Sequence, residues 1–230
     1  APGVMYTFKK LFKQQVYDLL DYSDLFSFIS MDRIAREIDK LTSIEIDIEM
    51  FQPIYKESME IKRLFEKAYE KALQKTDRTT YQAMEAFVHN LNTMHSRAGA
   101  QVPFSSINFG TDTSAEGRMV IEELLKSTIE GLGTHGEVPV FPIQIFKIKD
   151  GVSYSDSDYE LAINNFEAAL NGEIKFKAPN FDLFLKACKT TAKALFPNFM
   201  FLDTPFNKHE EWRADDPKRY RYELATMGCR

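Results

Sequence analysis

The last four residues, Met227-Gly228-Cys229-Arg230, place a thiol directly after a glycine. Glycine permits positive φ and close backbone approach, so this arrangement can present a thiol at the tip of a loop. A nucleophilic thiol needs a base nearby, and no histidine is spaced to act as one. A radical thiol needs a shielded pocket and an unpaired electron from a cofactor or partner. On these residues alone, a reactive role and a purely structural one both stay open.

A second group of polar residues surrounds the end of a predicted strand, Val102–Phe109, which stops at a glycine. The group begins with Ser105, Ser106 and Asn108 and continues through Thr113. Ligands gather at the carboxyl ends of parallel strands, and free amides at the start of the next helix can hold phosphate. The alternative is that these residues only form a turn and cap the following helix, for which Ser114 is a suitable N-cap.

Metal ligation is not predicted within the chain. His89 and His95 are six positions apart, which does not bring two side chains onto one helical face, and His135 lies in a glycine-rich turn. The two cysteines are too few for a disulfide scaffold, and Cys188 occupies an apolar helical position. We expect Cys188 and Cys229 to be reduced thiols in the cytoplasm.

The overall composition excludes some classes of protein. Lysine and arginine number 29 against 34 aspartate and glutamate residues, a net charge of −5. This balance argues against a broad surface for nucleic acid or an anionic membrane, but not against a local phosphate pocket. No apolar run is long enough to span a membrane. The first residues lack a secretory signal and an initiator methionine, as in a chain that begins inside a longer protein or one from which a tag has been trimmed.

Residues 1–100 are predicted to be mainly helical. Apolar residues at spacings of three and four indicate a helix from Val4 to Leu20 and another from Ile61 to Leu73. Lys75-Thr76-Asp77 is expected to end that second helix and cap a third. The alternation of isoleucines from Ile44 to Ile48 suggests a short strand, although the same residues could start a helix.

Residues 101–230 are predicted to be α/β. A helix from Ser114 or Ala115 to about Gly131 follows the first strand. The apolar run Val138–Phe146 is typical of a buried parallel strand, with regular pairing only after its prolines. Helices are expected over 158–170 and 180–195, and a strand over 199–203. This order predicts parallel strands joined by right-handed crossovers, with the helical region packed against the sheet.

Several runs in order resemble the oxygen-sensitive anaerobic (class III) ribonucleoside-triphosphate reductases. They cover nearly the whole chain, most loosely from about Ser30 to Lys56, and are Ala1–Val4 with Thr7–Lys10, His89–Gly99, Gln101–Ser114, Phe141–Lys147, Pro197–Phe199, Leu202–Asn207 and Met227–Arg230.

The resemblance implies part of a closed α/β barrel of the glycyl-radical-enzyme type, with Cys229 at the tip of a central finger loop. Cys229 would carry a thiyl radical that takes the ribose 3′ hydrogen of a ribonucleoside triphosphate. Formate would be the reductant, and ATP and deoxynucleotides the effectors. A separate activase with an iron–sulfur cluster and S-adenosylmethionine would generate the glycyl radical. The intact protein would be a homodimer.

The resemblance also implies a substrate pocket. Met227 and Gly228 would line it beside the cysteine, and the strand segment from Gln101, with Ser105, Ser106 and Asn108, would lie near the substrate. No individual contact is assigned to these residues.

The sequence departs from the family pattern in several places. No second active-site cysteine lies on an early strand, since Cys188 falls in a helical segment. The glycyl-radical segment, the zinc site of paired cysteines and the N-terminal nucleotide-binding cone do not match any part of the chain. We therefore expect the isolated chain to be inactive. The alternatives are another glycyl-radical enzyme related to formate lyases, or a noncatalytic module that binds effectors or dimerises.

Overall fold

The computed structural model describes residues 1–23, 30–94, 101–204, 209–213 and 216–222, without the side chains of residues 219 and 220. The chain divides into two compact units. The first comprises Ala1–Gln82 and Ser114–Val120, and the second comprises Ala83–Thr113 and Ile121–Arg230.

The first unit is helical, as predicted. It contains α1 (Pro2–Asp21), α2 (Met31–Asp39), the short α3 (Gln52–Tyr55) and most of α4 (Met59–Thr93). The predicted apolar stripe of α1 is buried from Val4 to Leu20, and its phenylalanines stack within an aromatic core. Each fully buried large side chain of this kind contributes about 2 kcal/mol to folding.

Two predictions for the first unit are wrong. Helix α4 runs unbroken for 35 residues through Lys75-Thr76-Asp77, where a break was expected. The reason is that Thr76, fully buried, donates its hydroxyl to the Ala72 carbonyl at 2.7 Å. Thr80 repeats the pattern with the Thr76 carbonyl at 2.9 Å. Both threonines therefore satisfy their hydroxyls inside the helix instead of capping a new one.

The isoleucine alternation from Ile44 to Ile48 does not form the suggested strand. The Ile44 amide donates to the Glu116 carboxylate at 2.6 Å, and its carbonyl accepts from the Tyr69 hydroxyl at 3.0 Å. Side chains thus occupy the backbone groups that a neighbouring strand would need. A 3₁₀ helix follows at Ile48–Phe51, capped by Asp47. Of the two interpretations left open for this segment, the strand is wrong, and the start of a helix is confirmed at Ile48. Ile44 is buried, and Ile46 and Ile48 are partly buried.

The second unit contains a parallel sheet, which confirms the predicted α/β class and strand direction. Its strands are β1 (Ser106–Phe109), β2 (Ile143–Ile148) and β3 (Asn198–Phe201), in the order β1-β2-β3. Regular pairing on β2 begins just after Pro142, as its prolines predicted. These three strands form an open sheet with β2 at its centre, and a closed barrel is not formed by the described residues.

Helices flank the strands in the predicted order. They are α5 (Ala115–Glu130), α6 (Asp156–Asn164), α7 (Phe166–Leu170) and α8 (Phe181–Ala194). The predicted cap of α5 is confirmed, because the Gly117 amide donates to the Ser114 hydroxyl at 3.1 Å. The single helix expected over 158–170 is wrong. Asn165 leaves the helical region at φ −134° and ψ 48°, and its side chain donates to the Leu161 carbonyl at 3.0 Å, so α6 ends there.

Candidate functional site

The two faces of the sheet differ in chemistry. In-register residues of parallel strands share a face, and alternate residues point to opposite faces. Asn108 pairs with Ile145, which pairs with Asn198, so these three form one row. The face that contains this row is called the polar face here. It carries Ser106, Asn108, Ile143, Ile145, Lys147, Asn198 and Met200.

The opposite face is aromatic and packs against helices. Phe146 is fully buried and contacts Phe109, Phe184 and Phe199, with ring centroids 5.6 to 6.2 Å apart. Residues of α5 and α8 complete this cluster. The packing leaves little freedom for β1 and β2 to shift, since each ring fills space among the others. The helices therefore fix the sheet from one side, and the polar face lies on the other.

The turn after β1 is held by two devices. Gly110 has φ +116°, and a Cβ there would lie 2.8 Å from the Lys147 carbonyl, so only glycine fits. Asn180, fully buried at the start of α8, donates its amide to the carbonyls of Gly110 and Asp112 at 3.0 and 2.9 Å. The backbone path of the turn that directly follows β1 is thereby fixed.

The segment before β2 is held by a side chain of α4. The Asn92 carbonyl oxygen accepts from the Val140 and Phe141 amides at 2.8 and 3.0 Å. Its amide group donates to the Phe141 and Val88 carbonyls. Asn92 lies in one of the runs that carry the family resemblance, but no pattern in the sequence indicated this positioning role.

The predicted substrate residues fall at different places. Ser106 and Asn108 lie together on the polar face. Ser105 immediately precedes β1, and its buried hydroxyl has no hydrogen-bond partner in the part of the chain that the structure describes. Gln101 is exposed and lies well before the strand. Cys229, Met227 and Gly228 lie outside the described residues, so their proximity to the polar face stays a prediction.

The structure adds a charged cluster that sequence reasoning missed. Lys149, which directly follows β2, is 4% exposed, and its ammonium group pairs with Asp203 just after β3. The same ammonium lies 4.2 Å from the centre of the Trp212 ring. The second Asp203 oxygen accepts from the Asp150 amide at 2.6 Å. The sequence feature that could have indicated this cluster is Lys147-Ile148-Lys149. Its two lysines are two positions apart at the end of an apolar strand, so they are expected on the same face.

No described group of three histidine, cysteine or acidic side chains could hold a metal ion. Cys188 lies on α8, and burial raises the pKa of its thiol, which disfavours the nucleophilic thiolate. Over the described ranges, no helix combines the length and apolarity that a membrane crossing requires.

Comparison with known proteins identifies relatives. A family profile described as anaerobic ribonucleoside-triphosphate reductase matches residues 24–230. The reductase of Salmonella typhimurium is 29% identical over 132 residues, which cover 57% of this chain and 16% of the relative. That of Enterobacteria phage T4 is 30% identical over 129 residues, 56% of this chain and 18% of the relative. The reductase of Haemophilus influenzae is 27% identical over 162 residues, which cover 70% of this chain and 18% of the relative.

The matched part thus spans 16% to 18% of the length of these relatives. The profile match nevertheless covers most of the chain, including both strands of the β1–β2 pair and the Cys229 segment. This chain belongs to the anaerobic ribonucleoside-triphosphate reductase family.

Proposed function

We propose that this chain is the catalytic-core portion of a larger enzyme that reduces ribonucleoside triphosphates to deoxyribonucleoside triphosphates for DNA synthesis. The observation that carries the proposal is the polar face of the sheet. It combines Ser106, Asn108 and Asn198 with the Lys147 position, and β1 itself lies in a run that resembles the reductases. A nucleotide offers hydroxyls and phosphates, which such amide, hydroxyl and ammonium groups recognise.

Cys229 is the proposed catalytic residue. As a thiyl radical it would form an S–H bond while the ribose C3′–H bond breaks, which leaves the unpaired electron on the sugar carbon. Met227 and Gly228 would line the pocket beside it. Gln101, Ser105, Ser106 and Asn108 would lie along the strand near the substrate, with Ser106 and Asn108 as the best candidates for contact because they share the polar face.

Other groups are proposed to lie outside this chain. A glycyl radical in a C-terminal segment would supply the unpaired electron once the iron–sulfur, S-adenosylmethionine-dependent activase has installed it. Formate would be the final reductant, and ATP and deoxynucleotides the effectors. A zinc ion is also proposed to be held in a C-terminal part of the complete protein, as the family resemblance implies.

The architecture of the complete protein is proposed as a closed α/β barrel of which the present sheet is a part. The parallel direction of the three strands, with helices packed on one face of the sheet, suits this arrangement, since such barrels consist of parallel strands with helices outside. Residues 1–100 would form a helical region packed on the barrel, and residues 101–230 the barrel portion that ends at the finger loop. We propose a homodimer in the cytoplasm.

The test uses the complete protein with its activase, ribonucleoside triphosphates and formate. Asn108→Ala is expected to raise KM about tenfold, as the loss of one or two hydrogen bonds to substrate does. Asn171→Ala, an exposed asparagine after α7, is the matched control and should leave KM unchanged.

Absence of deoxyribonucleotide product, or turnover of small acyl or diol substrates instead, would overturn the assignment in favour of a formate-lyase relative. Residues 1–230 alone with activase should show no turnover. Product from that mixture would contradict the expectation that this portion is inactive by itself.

A further inference from the structure

Lys149 is a buried cation held from two directions. Its ammonium pairs with the Asp203 carboxylate and lies 4.2 Å from the centre of the Trp212 ring. Its own amide donates to the Ser153 hydroxyl at 3.0 Å, so the backbone at its base is also fixed. A buried ammonium group is costly unless it is paired, and here a carboxylate and an aromatic face supply the pairing.

Trp212 belongs to the stretch 209–213, which follows β3 and precedes Cys229 along the chain. This stretch is joined in turn to the 3₁₀ helix Arg219–Tyr222. The His209 ring lies against the Tyr222 ring, with centroids 5.1 Å apart and the planes tilted by 43°. The Tyr222 hydroxyl donates to the Glu211 carboxylate, which raises the pKa of that tyrosine. Contacts therefore continue from the carboxyl edge of β2, through Trp212, to a residue close in sequence to Cys229.

We infer that Lys149 is a positioning residue for the segment that carries the reactive thiol. By holding Trp212 at the carboxyl edge of β2, it gives the chain toward Cys229 a fixed starting point beside the sheet. The inference rests on the proposed function, because the contact between Lys149 and Trp212 has this role only if Cys229 is the catalytic residue. Asp203 sets the position of the ammonium, since its other oxygen is bound by the Asp150 amide.

The chemistry of the cluster favours a cation at this position. A neutral side chain of similar length, as in Lys149→Met, keeps the packing but loses both the ion pair and the attraction to the indole face. A desolvated cation over an indole favours the docked state about tenfold. Arginine keeps the charge, pairs with carboxylates and stacks on aromatic rings, so Lys149→Arg should restore much of the docking.

The first test uses the full chain, in which Trp212 is the only tryptophan and therefore the only source of indole emission. Lys149→Met should shift the emission to longer wavelength and increase quenching by acrylamide, with an unchanged far-ultraviolet circular dichroism spectrum. Lys149→Arg should stay close to the unsubstituted chain. Lys175→Met removes an exposed lysine and serves as the control. Unchanged Trp212 emission in Lys149→Met would overturn the inference.

The second test uses the complete enzyme, first shown to reduce ribonucleotides without substitution. Lys149→Met should lower kcat about tenfold with KM unchanged, because substrate still binds while the thiol is positioned less often. Lys149→Arg should recover most of the loss. If Trp212 becomes exposed while kcat stays constant, the cluster is only structural and the inference fails, although the proposed function stands. If the unsubstituted enzyme makes no deoxyribonucleotide, the proposed function fails instead.

Discussion

The Asp158 carboxylate is buried at the start of α6 and accepts three hydrogen bonds. Its donors are the Lys177 and Ala178 amides, both at 2.8 Å, and the Ser155 hydroxyl at 2.7 Å. Asp158→Asn would keep the size of the side chain but replace one acceptor oxygen with an NH₂ group. That group would face a backbone N–H, so one buried amide would lose its acceptor.

The expected cost is about 3 kcal/mol. Hydrogen bonds to a charged acceptor are each worth about 1.5 to 3 kcal/mol, and a buried donor without a partner costs about 1 to 3 kcal/mol. Burial by itself raises the pKa of Asp158. The amide donors and the Ser155 hydroxyl outweigh that effect and hold the pKa below its usual value.

The sign of the pH dependence follows from this lowered pKa. The stabilisation by Asp158 is complete above the ordinary carboxyl pKa of about 3.9 and is lost as the pH falls through the lower folded-state value. The difference in free energy of unfolding between the original protein and Asp158→Asn should therefore be largest at neutral pH. It should shrink as the pH is lowered below about 4.

Urea unfolding followed by Trp212 emission measures this difference, because the only tryptophan lies in the same unit as Asp158. Asp156→Asn is the matched control, since Asp156 is exposed two positions earlier on the same helix and accepts from the Tyr154 hydroxyl at 3.1 Å. A cost below about 1 kcal/mol at neutral pH, or a difference that grows in acid, would refute the reasoning.

Three further substitutions test the devices that hold the strands. Gly110→Ala should destabilise the second unit by about 3 kcal/mol in urea unfolding, because Gly110 has a positive φ and an added Cβ would lie too close to the Lys147 carbonyl. A cost near zero would refute this explanation of the glycine. Asn180→Ala leaves two carbonyls without their donor and should speed hydrogen exchange in the turn after β1, whereas unchanged exchange would contradict the anchoring role. Asn92→Ala should cost about 2 kcal/mol, while exposed Asn90→Ala should cost less than about 0.5 kcal/mol, and equal costs would argue against the bonds to 140–141.

Local patterns were sufficient to predict much of the sheet and of the helices that follow its strands. The prolines of Val138–Phe146 predicted where pairing begins on β2, because proline lacks the donor that a ladder needs. The Ser114 cap was likewise a local feature. Parallel direction followed from the alternation of strands and helices, since such crossovers leave successive strands pointing the same way.

The errors arose where a distant side chain decided the local structure. Ile44 looks like a strand residue until Tyr69 and Glu116 take its backbone groups, and both are remote in sequence. The helix break expected at Thr76 is absent, because this buried threonine donates its hydroxyl to a carbonyl of its own helix. Neither set of hydrogen bonds can be predicted from the spacing of apolar residues along the sequence.

The candidate site was predictable only in part. Ser106 and Asn108 could be placed on one face from the sequence alone, because residues two positions apart on a strand point to the same face. Asn198 joins them only through the register of β2 with β3, which the sequence does not give. The Lys149 cluster needs three segments to meet in space, so it could not be recognised before the fold was known.

The most direct test of the central proposal compares two cysteine substitutions in the complete enzyme. Cys229→Ser should abolish deoxyribonucleotide formation, while Cys188→Ser, on helix α8, should retain it. Electron paramagnetic resonance should detect the activase-generated glycyl radical in both variants, which separates loss of the thiol from loss of activation. Deoxyribonucleotide formation by Cys229→Ser, with the radical present, would contradict the role proposed for Cys229.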